Sequence, residues 1–227
     1  MRIGIVGAGH IGGTLTRRLR ALGHQVAVAN SRGPETLAGL AGETGAEAVT
    51  AADAVKGRYI VIFTVPMKDV PALRNLFAEA RPDTLVIDTG NYYPRQRDGR
   101  IEPIEAGTTE GRWVSDQIGR PTVKAFNAIN WARLLNDGRP AGDAARIAIP
   151  VAGDDAAAKA KAIALIDELG FDGVDAGGLD ESWRQEPGKP AYGADLPRTG
   201  LLAALQRATP ERAPEFSGRP GDPQPRH

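Results

Sequence analysis

Apolar positions in this chain fall in short continuous runs. Met1 to Val6, His24 to Ala29, Tyr59 to Phe63 and Thr84 to Asp88 each read as a strand. Runs of this kind suit a parallel sheet covered on both faces, whereas a half-exposed sheet alternates apolar with polar. Between them the spacing becomes helical. Gly13 to Gly23, Pro34 to Gly42 and Met67 to Ala80 are predicted helices, the last with Val70, Leu73, Leu76 and Phe77 on one face. Ala46 to Val49 predicts a brief strand and Thr50 to Val55 a short helix. Strands alternating with helices argue for right-handed crossovers, and so for an α/β fold with a doubly wound, Rossmann-type parallel sheet.

Past Asp88 the pattern loosens. Thr89 to Trp113 reads as a long polar loop, of the sort that is usually functional. Pro121 to Phe126 returns to strand character, Asn127 to Leu135 to a short helix, and Arg146 to Ala152 to another strand. Asp154 to Leu169 predicts a helix capped by Asp154 or Asp155, with Ile163, Ile166 and Leu169 facing inward and Gly170 as its stop. A last strand at Phe171 to Asp175, a polar loop from Gly177 to Tyr192 and a closing helix from Leu196 to Ala208 follow. The expected organisation is a nucleotide-binding domain over 1–127, a small C-terminal α/β region over 128–208, and a disordered tail over 209–227, where almost nothing is apolar.

Composition removes several function classes. The 227 residues carry 28 Lys plus Arg against 28 Asp plus Glu, so no net field points to nucleic acid or to an anionic membrane. There is no cysteine, hence no disulfide, thiolate nucleophile or Cys-ligated metal, and three scattered histidines do not make a metal site. No apolar run has the length of a membrane span, and the chain opens on a strand without a signal-peptide pattern. The expectation is a cytoplasmic protein without a membrane or nucleic-acid partner.

The chemistry concentrates at strand ends. After the first strand comes Gly7-Ala8-Gly9-His10-Ile11-Gly12, a G-x-G-x-x-G set between strand and helix with a second strand at the right distance. Gly7 permits the tight turn, Gly9 lets a pyrophosphate approach the backbone, and Gly12 lets helix and strand pack closely. The helix N-terminus then offers free N–H groups to phosphate. The second strand ends in Asn30-Ser31-Arg32, with no carboxylate until Glu35. An NAD site places a carboxylate there; a hydroxyl and a guanidinium fit a 2′-phosphate instead, so NADP(H) is the predicted cofactor.

Thr64-Val65-Pro66 ends another strand and offers an apolar shelf to the nicotinamide half, though these residues also suit plain strand termination. His10 fits either a phosphate contact or an exposed loop position. Asn91 and Asn127 fit either a cofactor amide or substrate carbonyl, or a turn. Tyr92 and Tyr93 suit a lid or local packing, and Trp183 suits stacking on a substrate ring or anchoring its loop. No catalytic acid–base set and no metal site stands out. Carbonyl reduction usually needs an acid near the developing alkoxide, whereas hydride exchange between two redox rings needs chiefly their orientation.

The opening MRIGIVGAGHIGGTL, the NSRGPETL turn, IVIFTVP, LVIDTGNYYP, VKAFNAIN and the late DAGGLDESWRQEPGKPAY together resemble the deazaflavin (coenzyme F-420):NADP oxidoreductase family. More closely they are similar to its broad bacterial branch of dinucleotide-binding reductases, over roughly residues 1–205. The resemblance implies that Ser31 and Arg32 hold the 2′-phosphate, that the Gly7–Gly13 loop holds the pyrophosphate, and that Val65 and Pro66 sit near the nicotinamide. It implies a deazaflavin lying against the nicotinamide in a pocket closed by the small C-terminal part, and a homodimer. A flavin is an alternative acceptor. A small imine or carbonyl substrate, or a non-catalytic NADP-sensing role, are the alternative functions. The stretch Trp183 to Tyr192 is typical of the bacterial branch and implies a part in shaping the acceptor pocket.

Overall fold

The computed structural model describes residues 1–219. The apolar runs form the strands β1 (Arg2–Val6), β2 (Gln25–Ala29), β4 (Ile60–Phe63) and β5 (Leu85–Asp88), joined by the two-residue strands β3 (Glu47–Ala48) and β6 (Val123–Lys124). They make one parallel sheet in the order β3-β2-β1-β4-β5-β6. This is the Rossmann order, and its topological switch lies between β1 and β4, where such sheets bind ligands beyond the strand ends.

Alternate residues of these strands feed two cores. Ile3, Ile5, Ile60, Ile62, Leu85 and Ile87 pack with Leu15 and Leu19 of α1 (His10–Ala21). Val6, Val61, Phe63 and Val86 face the opposite way, onto Val70, Phe77, Trp113 and Val114. Both faces of each strand are therefore covered, which is why the runs are continuously apolar. Three short helices flank the N-terminal half: α2 (Ala38–Thr44), α3 (Ala51–Val55) and α4 (Arg74–Ala78).

Some boundaries differ from those expected. Helix α1 begins at His10, inside the glycine motif. The predicted Met67–Ala80 helix is a 3-10 turn as far as Leu73, with Pro71 inside it and unable to donate a backbone N–H. The expected loop at 89–113 is largely structured, with a π turn at Pro94–Asp98, α5 (Glu102–Glu105) and the start of α6 (Glu110–Ile118). Thr109 caps α6 by accepting from the Arg112 N–H. Helical spacing was hidden there because several of the buried positions are polar: Thr89, Asp98, Thr109 and Glu110.

Beyond β6 come α7 (Trp131–Asn136), β7 (Ala148–Val151), α8 (Ala156–Glu168), β8 (Asp172–Asp175) and α9 (Arg198–Arg207). Strands β7 and β8 pair in parallel, and an antiparallel bridge from Lys124 to Ala152 ties them to the main sheet. Asp155, one of the two expected caps, accepts from the N–H groups of Ala157 and Ala158 at the start of α8. Phe126, Leu134, Ile149, Leu165 and Phe171 share the core of Ile3 and Ile5, so the boundary proposed at 127/128 runs through common packing.

Of the tail expected to be disordered from Thr209, residues 209–219 make specific contacts with the rest of the chain. Lys189 Nζ donates to the carbonyls of Thr209 and Glu211 at 2.6 and 2.5 Å. Arg95 Nε donates to Ser217 O at 3.0 Å, and Arg100 to Gly218 O at 2.7 Å. The segment is held by cations on its backbone oxygens, a mode that a composition rule based on apolar content does not register. The rest of the expected tail, 220–227, lies outside the described residues.

Candidate functional site

Two clefts meet at the glycine loop. One, of about 500 Å³, opens beyond β1, β4 and β5 and is lined by Gly9, Ile11, Thr64, Val65 and Pro66, with Asn91 and Asn127 across from the loop in sequence. The other, of about 580 Å³, is lined by Ala8, Gly13, Arg17, Arg32 and Thr36. Gly9, His10 and Trp131 line both. The His10 and Trp131 rings stack 5.0 Å apart at 18°, forming the partition.

The three motif glycines have different physical reasons. Gly7 has φ +102, and a Cβ there would lie 2.7 Å from Thr64 O. A Cβ on Gly12 would sit 1.9 Å from Gly7 O. Both are glycines because the fold requires it. Thr64 fixes the loop from the neighbouring strand by donating to Gly7 O at 2.8 Å. Gly9 is otherwise: its φ is −73 and a Cβ would meet nothing within 4 Å. The chain leaves room at Gly9 that its own fold does not need. Gly9 is also the N-cap of α1, with no side-chain cap and no acidic residue in the first turn. Backbone donors, a positive dipole end and an open approach fit a dinucleotide's diphosphate.

At the end of β2, Asn30 shapes the turn. Its Oδ1 accepts from the Arg32 N–H at 2.9 Å, and its Nδ2 donates to Thr36 Oγ1 at 2.8 Å. Ser31 and Arg32 are exposed, and among the described residues no carboxylate pairs with the Arg32 guanidinium. Arg17, by contrast, is held bidentate by Glu43, Nε and Nη2 each at 2.7 Å.

Asn91 and Asn127 are joined. Asn91 Nδ2 donates to Asn127 O at 2.9 Å, and Asn127 Nδ2 donates to Asn91 Oδ1 at 3.1 Å. Buried Gln185 braces them by donating to Asn127 Oδ1 at 2.8 Å. Phe126, just before Asn127, sits at φ +63, a conformation bulky residues rarely hold without local compensation. Asn127 lies in a turn, Asn91 in irregular chain, and both line the first cleft.

Trp183 stands away from the glycine-loop clefts. It lines neither cleft; Arg184 lies 4.4 Å and Lys189 Nζ 5.7 Å from its ring centre. Its neighbours reach the site instead. Tyr192, from the same late run, meets Tyr93 hydroxyl to hydroxyl, and both line the cleft beyond β1, β4 and β5. Burial, and then the bond to Tyr93, push the Tyr192 phenol well above the ordinary tyrosine value, so it stays protonated at neutral pH. Sequence reasoning missed this pair because the two residues lie 99 positions apart. Two tyrosines following LVIDTGN, and a third closing RQEPGKPAY, are the only signal the sequence carries.

Behind the cleft is a buried ionic network. Lys124 Nζ, fully buried at the end of β6, donates to Asp88 Oδ2 at 2.9 Å and Gly90 O at 2.7 Å, with Glu110 Oε2 4.0 Å away. Glu110 accepts from the Tyr92 N–H at 3.1 Å and from Arg212 at 2.9 Å. Arg212 also reaches Glu186 at 2.7 Å. Burial, and then the nearby Glu186 carboxylate, push the Glu110 carboxyl up to about 8. Burial alone opposes the Lys124 charge, but the Asp88 and Glu110 carboxylates hold its ammonium above the usual lysine value. The network fixes the β5–Asn91 segment, which carries one wall of the cleft.

Among the described residues no group of three or more metal-binding side chains forms a metal site, and no helix is long and apolar enough to cross a membrane.

Residues 2–92 match the family model described as NADP oxidoreductase, coenzyme F420-dependent. The protein YjhV of Escherichia coli K12 is 41% identical over 69 residues, 30% of this chain; the match spans half the length of that relative. Among solved structures, the hypothetical protein SMa0349 of Sinorhizobium meliloti superposes with a TM-score of 0.74 at 28% identity, over 87% of this chain and 96% of that one. The "putative f420 dependent nadp-reductase" of Arthrobacter sp. FB24 shares the fold, with a TM-score of 0.67 at 24% identity, over 80% and 87% of the two chains. Together these likenesses show a Rossmann-type fold, with a match over residues 2–92 to an NADP oxidoreductase family model.

Proposed function

We propose that this protein transfers a hydride between NADP(H) and a second ring, a deazaflavin or a flavin, a reading supported by the match of residues 2–92 to the family model described as NADP oxidoreductase, coenzyme F420-dependent. The observation that carries the reading is the vacancy for a side chain at Gly9, at the uncapped end of α1 and at the junction of two clefts. In this reading the α1 N-terminus, from Gly9 to Gly12, binds the diphosphate. Ser31 and Arg32 bind the 2′-phosphate, with Asn30 holding their turn. Val65 and Pro66 offer the nicotinamide a dry face in the cleft beyond β1, β4 and β5, and Asn91 and Asn127 bind a carboxamide or an acceptor carbonyl. His10 and Trp131 lie over the passage from one cleft to the other.

The bound nicotinamide supplies the hydride. The protein's share is to hold two rings face to face and exclude water, and that is mostly a matter of orientation. A cytoplasmic homodimer completes the proposal, on the strength of the family resemblance.

The cofactor half is tested at Arg32. Replacing it with Ala removes a charge-assisted contact of about 1.5–3 kcal/mol, so NADPH binding weakens by roughly 10- to 100-fold. NADH, with no 2′-phosphate, is expected to bind the variant as it binds the wild type. Fluorescence titration with each cofactor reads the difference. Equal weakening of both cofactors contradicts the assignment of the turn.

A further inference from the structure

The cleft beyond β1, β4 and β5 contains a proton source that ring-to-ring hydride transfer does not use. Tyr93, from the segment after β5, and Tyr192, from the segment before α9, meet hydroxyl to hydroxyl in its lining. Each phenol has one proton. The bond between them uses one; among the described residues no carbonyl, carboxylate or ring nitrogen accepts the other. One phenolic O–H is therefore free for whatever occupies the cleft.

The pair is held from several sides. The Arg97 guanidinium lies 5.2 Å from the Tyr93 ring centre, and the Phe216 ring lies 6.2 Å from it at 53°. The Tyr93 N–H donates to buried Asp98 at 2.8 Å. Tyr192 N–H donates to Lys189 O at 3.0 Å, and Lys189 in turn clamps the 209–211 backbone. Two segments far apart in sequence are braced so that two hydroxyls meet at one point. Packing alone needs two rings there; phenylalanine supplies a ring without burying polar oxygen.

We propose that the Tyr93–Tyr192 pair is the general acid for a second acceptor class, a small ketone or imine reduced by NADPH in this cleft. The inference rests on NADPH being the hydride donor. The hydride, with its electron pair, leaves nicotinamide C4 and forms a C–H bond at the electrophilic carbon. The C=O or C=N π electrons move to the heteroatom, and a phenolic proton forms the new O–H or N–H bond. Water reprotonates the phenolate through the partner hydroxyl, and NADPH leaves as NADP⁺. An alkoxide is far more basic than a phenolate, so the proton moves downhill even from a phenol of raised pKa.

The test uses the full chain with NADPH and two probes, cyclohexanone and 2-methyl-1-pyrroline, beside an oxidised flavin or deazaflavin. The wild type is expected to reduce at least one probe. In Tyr192→Phe, with Tyr93→Phe as a second variant, the ratio of kcat on that probe to kcat on the ring acceptor falls by about 100-fold. A readout independent of turnover is calorimetric binding of cyclohexanol to the NADP⁺ complex, expected to weaken by about tenfold when the phenol is lost. Ring acceptor reduced but neither probe reduced overturns this inference and leaves the proposed function standing. Phe variants with an unchanged ratio and unchanged cyclohexanol binding also overturn it. Failure to bind NADPH overturns the proposed function itself.

Discussion

A Gly9→Val variant is expected to fold and to lose NADP(H). Of the motif glycines, Gly9 alone combines an ordinary φ of −73 with open space around a hypothetical Cβ. Gly7 and Gly12 answer to Thr64 and to each other, so changing them breaks the loop before it tests any ligand. At Gly9 the isopropyl group stands over the free N–H groups of α1, where the diphosphate must come within hydrogen-bonding distance. Affinity for NADPH and NADH alike falls by about 100-fold or more, some 2.7 kcal/mol. The folded state changes by no more than about 1 kcal/mol, the scale of an N-cap substitution. Cofactor titration and thermal unfolding measure the two effects. Unchanged affinity rules out a diphosphate at this loop.

The second large effect concerns stability. Lys124→Met removes the cation between Asp88 and Glu110, both fully buried. Methionine fills similar space, so the cost arises from the stranded Asp88 carboxylate and not from a cavity. Asp88 keeps only the Gly90 N–H, and Glu110 keeps Arg212 and the Tyr92 N–H. Breaking a buried pair from one side costs about 3–5 kcal/mol. Denaturant unfolding reads it as a lowered midpoint with an unchanged slope. Adding Asp88→Asn to Lys124→Met is expected to recover part of the loss, since the stranded charge is then gone. A cost below about 1 kcal/mol, or no recovery in the double variant, contradicts the idea that this ion pair holds the cleft wall in place.

The N-terminal half was legible because its signals are local. Ile60 to Phe63 is apolar at every position since both faces of β4 are covered, and the glycine motif sits between β1 and α1 within a dozen residues. Glycine alone does not say why it is needed. Only packing distinguishes Gly12, pressed on Gly7 O, from Gly9, which faces open space. The C-terminal half was read less well because it is built by polar contacts over long separations. Arg212 closes a network with Glu110 across 102 positions and Glu186 across 26, and a stretch of proline, glycine and charge gives no periodic sign of that. Trp183 attracted a binding role through its ring, yet two cations occupy its surroundings. Its neighbours Gln185, Glu186 and Tyr192, each polar and unremarkable alone, reach Asn127, Arg212 and Tyr93. Such groups reveal themselves only when the fold brings them together.

The central claim is direct hydride transfer from NADPH to a ring held in the cleft. Its most direct test is a single turnover with NADPH carrying deuterium at both hydrogens of nicotinamide C4 and the oxidised deazaflavin, followed by stopped-flow absorbance and mass analysis of the product. A deazaflavin accepts the hydride at carbon, where the label does not wash out into water. The account predicts rapid bleaching and deuterium retained in the reduced ring. Tightly bound NADPH with no bleaching, or a reduced ring without the label, would contradict it.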